Sequence, residues 1–143
     1  MSQLLRIALA LALMQIAAPR ASFAADAPPT GDAERGKEIY AQCMYCHAID
    51  QNRVGPMHKG LFGRKAGSVP GFNYSTAMKK AGEKGLVWSP QTLDAYITNP
   101  QKVVPGNRMP FGGLSDAQQR ADLIAYLKEA TAPDQKTGEA PAK

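Results

Sequence analysis

The chain is 143 residues long, 44% hydrophobic and 20% charged, with two cysteines, two histidines and a formal net charge of +5. That length suits one domain rather than several. The basic excess is modest and no dense stripe of Lys and Arg interleaved with aromatics occurs, which argues against a nucleic-acid-binding protein.

Residues 1–24 read as a cleavable export signal, with Arg6 giving a weakly basic start, an almost wholly apolar Ile7 to Ala18, and Pro19 as a break. Ser22-Phe23-Ala24 offers small residues at both specificity positions of a cleavage site. The apolar run is 12 residues, well short of the ~20 that span a bilayer, so no stable membrane insertion is expected after cleavage. The mature chain would carry fifteen Lys and Arg against twelve Asp and Glu, a surface suited to an acidic partner protein. Residues 25–31, rich in proline, read as a flexible linker.

Asp32 can cap a helix running to about Gln42, in which Gly36 is the odd residue. A glycine inside a helix costs about 1 kcal/mol against alanine, which predicts close approach by another element. Cys43-Met44-Tyr45-Cys46-His47 follows. Two thiols separated by two residues can reach the two vinyl groups on one edge of a porphyrin, and the adjacent imidazole then lies at the metal. The motif therefore predicts one haem c, attached through Cys43 and Cys46 with His47 as an axial ligand. A dithiol redox pair would be expected in a βαβ setting, which does not surround Cys43. Haem capture outside the cytoplasm implies the periplasm.

From Asp50 to Gly71 glycine, proline and basic residues predict loops. Long loops need something to wrap, and a large flat apolar group can complete a core this chain is too small to build alone. Short helices are expected at Ser75 to Ala81 and Ser89 to Thr98, the second capped by Ser89-Pro90 and stopped by Asn99-Pro100. Met109 sits in Val103-Val104-Pro105-Gly106-Asn107-Arg108-Met109-Pro110-Phe111-Gly112-Gly113, where prolines stiffen the chain and glycines allow close approach. Such a loop can hold a thioether against a metal, which makes Met109 the candidate sixth ligand. A last helix is expected from Ser115-Asp116 to about Ala130, with Ala121, Leu123, Ile124, Tyr126 and Leu127 on its apolar stripe and Gly36 opposite it. Residues 131–143 read as a disordered polar tail. No strand alternation worth a sheet is present, so the expected class is all-α.

With these segments in view, residues 31–130 closely resemble class I cytochromes c, and in particular the soluble bacterial relatives of mitochondrial cytochrome c. The matching segments beyond the cysteine motif are Val54-Gly55-Pro56, Gly60-Leu61-Phe62-Gly63-Arg64-Lys65, Pro70-Gly71-Phe72-Asn73-Tyr74-Ser75, Asn99-Pro100, Pro105-Gly106-Asn107-Arg108-Met109 and Arg120 to Leu127. The resemblance implies a cytochrome c domain over 32–130, with short helices and loops around one covalent haem and crossed N- and C-terminal helices. It implies that the Pro56 carbonyl accepts the free ring N–H of His47. It also implies that Arg64, Tyr74 and Trp88 serve the haem propionates and that Tyr96 approaches the Met109 sulfur. Departures are Asn107 and Arg108, where threonine and lysine are usual, Met78 in place of asparagine, and a longer Lys79 to Lys84 stretch. His58 stands where an apolar residue is common and reads as a loop histidine rather than a ligand.

The expected function is that of a monomeric, non-enzymatic periplasmic carrier of single electrons, cycling iron between Fe(III) and Fe(II) under His47/Met109 ligation. Lys37, Lys79, Lys80 and Lys102 are candidates for a basic ring that draws membrane or periplasmic redox proteins to the exposed haem edge. The alternative is a ligand-binding or peroxidase-like haem protein with a labile sixth ligand. A single attachment motif excludes a multihaem wire.

Overall fold

The structure, a computed structural model, describes residues 29–133. The signal of 1–24, most of the 25–31 linker and residues 134–143 lie outside them. Among the described residues five α-helices and one 3₁₀ turn follow one another as α1 Ala33–Tyr40, the turn Cys43–Tyr45, α2 Thr76–Glu83, α3 Pro90–Thr98, α4 Pro100–Val103 and α5 Ala117–Ala130. Among the described residues the extended pairing is a single isolated bridge between Lys65 and Val87, so the class is all-α as expected.

Local chemistry explains the helix starts. Asp32, Ser75, Ser89 and Asp116 each accept a backbone N–H of the first turn they cap, satisfying one of the donors every helix leaves free. Ser89 and Thr92 exchange bonds in a full capping box, with Pro90 in the first turn. At the Asn99-Pro100 stop the structure adds an element. Asn99 ends α3 with an extended backbone, φ −157° and ψ 93°, and its side chain then accepts the Lys102 amide to cap α4. A proline that cannot continue one helix is well placed at the start of the next.

The helix crossing of α1 and α5 frames the domain, and Gly36 is where it closes. A Cβ there would lie 2.0 Å from the Asp122 carbonyl oxygen and 2.7 Å from Tyr126 Cβ, so the backbones meet in a space no side chain could occupy. Tyr40, Leu123, Ile124 and Leu127 fill the core beside it. Thr131, expected at the start of the tail, is instead buried. Its hydroxyl donates to the Leu127 carbonyl at 2.7 Å and its own carbonyl accepts the Gly60 amide at 2.6 Å, so the packed domain extends past Ala130.

Asp122 closes the crossing electrostatically. Its carboxylate accepts the Asp32 amide at 2.7 Å, Arg35 Nε at 2.8 Å and Gln118 Nε2 at 2.9 Å. The Arg35 hydrogen bonds above all hold its carboxyl down at about 2. The unfolded chain binds the proton near 3.8 and the folded one only near 2, so this stabilisation is complete above about pH 4 and lost as pH falls through about 2. Asp122→Asn is expected to cost about 1.5–3 kcal/mol at neutral pH, the range for hydrogen bonds to charged groups. Denaturant melts at pH 2 to 7 should show the difference from wild type closing at the acid end.

Candidate functional site

The cysteine pair lies where α1 gives way to the 3₁₀ turn. The Cys43 carbonyl accepts both the Cys46 amide at 3.1 Å and the His47 amide at 2.8 Å, which winds the three site residues tightly together. Neither cysteine is engaged in a disulfide, so both sulfurs are available for attachment.

His47 is fixed from two directions. Its Nδ1 donates to the Pro56 carbonyl at 2.7 Å, as expected, because a carbonyl can only accept. That leaves Nε2 with its lone pair free for a metal. Burial lowers the His47 pKa, only partly offset by the Pro56 bond, which keeps the ring in the neutral, ligating form. Gly55 makes room for the ring, since a Cβ there would stand 2.3 Å from His47 Cε1 and 2.6 Å from Nε2.

Loops and helices together line a half-open cavity of about 730 Å³ that every one of the expected site residues faces, namely Cys43, Cys46, His47, Pro56, Arg64, Tyr74, Trp88, Tyr96 and Met109. Trp88 and Tyr96 are buried with ring centroids 5.0 Å apart. Burial pushes the Tyr96 hydroxyl up to about 12, with Tyr74 adding to it. Burial also raises the Tyr74 pKa, with the Val69 backbone and the Arg64 guanidinium acting the other way.

Arg64 tests whether these residues suit haem. Its two terminal nitrogens donate to the Lys59 and Met57 carbonyls at 2.8 and 3.0 Å, which braces the loop. Its Nε is buried and has no hydrogen-bond partner among the described residues. An orphaned cationic donor on the wall of a large, mostly apolar cavity fits a flat apolar group that carries carboxylates. Paired thiols and a free imidazole nitrogen on the same wall complete that fit.

Two further residues belong to the site. Asn107, noted in the sequence only as a departure, is buried and organises the Met109 loop. Its side-chain amide donates to the Pro100 and Val104 carbonyls at 3.0 and 2.9 Å, and its Oδ1 accepts the Met109 amide at 2.8 Å. An Asn two residues before the candidate ligand is a sequence signal for such an Asx turn. His58, expected to be a loop residue, lines the cavity and stacks on His47 with centroids 4.3 Å apart and planes 22° from parallel. It lies beside His47 and gives no support to a sixth-ligand role. Periodicity carried no signal for it, because the loop that delivers it has none.

The chain is similar to known proteins over most of the described residues. The family model for cytochrome c matches residues 33–131. The chain is 49% identical over 104 residues to cytochrome c type-1 of Ascaris suum, covering 71% of this chain and 90% of the relative. It is 47% identical over 100 residues to cytochrome c2 of Agrobacterium tumefaciens (strain II Chrys), covering 68% and 90%. The solved ferricytochrome c2 from Rhodopseudomonas palustris superposes with a TM-score of 0.66 at 37% identity, over 69% of this chain and 98% of that one.

Proposed function

The chain belongs to the cytochrome c family as a class I c-type cytochrome, a haem electron-transfer protein, and from that premise we propose a periplasmic monohaem carrier ligated by His47 and Met109. The convergence of all nine expected site residues on one cavity supports this reading most directly. Bound there, haem supplies reversible one-electron chemistry at iron.

The chain's own residues hold that chemistry steady. Cys43 and Cys46 provide two covalent anchors on one edge, and His47 presents Nε2 while Pro56 keeps its other nitrogen occupied. A thioether is soft and uncharged, so Met109 favours the reduced metal and raises the potential. Its loop is clamped by Asn107, which suits a ligand that stays bound through the redox cycle. No substrate bond is made or broken, so the protein acts as a carrier rather than an enzyme. Arg64, with Tyr74 and Trp88 beside it on the cavity wall, compensates the propionates.

Lys37, Lys79, Lys80 and Lys102 are all exposed, as attraction of an acidic redox partner requires. Export to the periplasm follows from the signal-like residues 1–24. Among the described residues no helix is long and apolar enough to cross a membrane.

The deciding experiment is the visible and near-infrared spectrum of the exported protein, oxidised and then reduced. Covalent low-spin haem with the weak sulfur-to-iron charge-transfer band is expected. A high-spin haem, or a low-spin one lacking that band, would remove Met109 as ligand and favour the labile-site alternative.

A further inference from the structure

His58 is tied into a run of aromatic contacts that the carrier role leaves unexplained. Tyr126 on α5 lies 5.2 Å from Tyr40 on α1, centroid to centroid. Tyr40 lies 5.7 Å from His58, and His58 lies 4.3 Å from His47. Between the second pair there is also a directed bond, Tyr40 hydroxyl to His58 Nδ1 at 3.0 Å. Tyr40 is itself 2% exposed, locked at the end of α1 against α5, so the hydroxyl is a rigid anchor rather than a mobile surface group.

The consequence is geometric. The Pro56 bond holds one atom of the His47 ring and the Gly55 backbone lies against it, but the exact tilt of the ring still depends on what packs beside it, because a carbonyl accepts over a broad range of directions. A second flat ring nearly parallel at 4.3 Å biases that tilt. An aliphatic side chain at position 58 would fill the volume without presenting a plane, and it could not receive the Tyr40 bond.

We propose that His58, anchored by the Tyr40 hydroxyl, is a positioning residue that sets the plane of the His47 imidazole and thereby couples the α1–α5 crossing to the axial ligand. The inference rests on His47 as the proximal ligand. The plane of an axial imidazole governs how its π orbitals overlap the iron d orbitals, and so how unpaired spin spreads over the porphyrin.

The test uses the holoprotein and the variants His58→Leu, His58→Phe and Tyr40→Phe. The four haem-methyl proton shifts of the ferric form are read by NMR, beside the visible spectrum. His58→Leu is expected to change the spacing of the methyl shifts as the His47 ring settles at a different orientation. His58→Phe, which restores a flat ring, should recover most of the wild-type pattern, and Tyr40→Phe should move it in the same sense as His58→Leu by less. A folded His58→Leu protein with the wild-type pattern would overturn the proposal. So would a His58→Phe protein as altered as His58→Leu. Should His58→Leu fail to fold, an unchanged pattern in Tyr40→Phe would overturn it equally. A wild-type spectrum without low-spin haem would instead count against the carrier reading.

Discussion

Replacing Met109 by alanine is expected to convert the low-spin haem to a high-spin or water-ligated form, remove the charge-transfer band and lower the reduction potential sharply. Axial ligands set haem potentials over a span of about 0.8 V, and exchange of a thioether for water falls within it. The chain should nonetheless remain folded. Asn107 bonds Pro100 and Val104 through its own side chain, so the loop keeps its shape when the neighbouring residue is trimmed. Spectroscopy, redox titration and far-ultraviolet circular dichroism of Met109→Ala together check this. A variant with the native spectrum would mean that Met109 never held the metal.

A large loss of stability is expected at Gly36. A Cβ placed 2.0 Å from a backbone carbonyl oxygen cannot be accommodated by rotating a side chain, so Gly36→Ala must drive α1 and α5 apart. The separation would loosen Tyr40, Leu123 and Leu127 together. Overpacked cores typically lose about 1–3 kcal/mol, and a clash with backbone on the far side places this one at the upper end. The better helix propensity of alanine returns about 1 kcal/mol at most. Each kcal/mol is worth about 4–8 °C in a domain of this size, so the thermal midpoint of the holoprotein should fall by on the order of 10 °C. Glu38→Ala, on the exposed side of the same helix, should stay within about 0.5 kcal/mol of wild type. Equal midpoints for the two variants would refute the crossing as the point of closest contact.

Much of this was legible in the chain because its signals are local. Capping residues, a glycine out of place in a helix and a cysteine pair followed by histidine each state their physical reason within a few positions. The helix beginnings at Asp32, Ser75, Ser89 and Asp116 came from side chains that bond to the next turn. What stayed hidden was long-range. The burial of Thr131 is tied to Gly60, 71 residues away along the chain and joined to it only by the fold. His58 lies in a loop with no period to read, and its contact with Tyr40 spans two segments that the sequence leaves unrelated. The short helix after Asn99 was missed for a different reason, since a residue that ends one helix can also begin another.

The walls of the large cavity are also the domain's core. Tyr40, Leu61, Trp88, Leu93, Tyr96, Ile97, Leu123 and Leu127 belong to both. A polypeptide arranged this way has delegated the centre of its own interior to another molecule. Left without it, those apolar side chains would stand against water, and the domain would lose much of the burial that a chain this small depends on. For a reversibly bound cofactor, folding would then depend on its free concentration. Two thioether bonds remove that dependence. Once joined, the cofactor cannot be diluted away, and the protein keeps its interior with it wherever it diffuses.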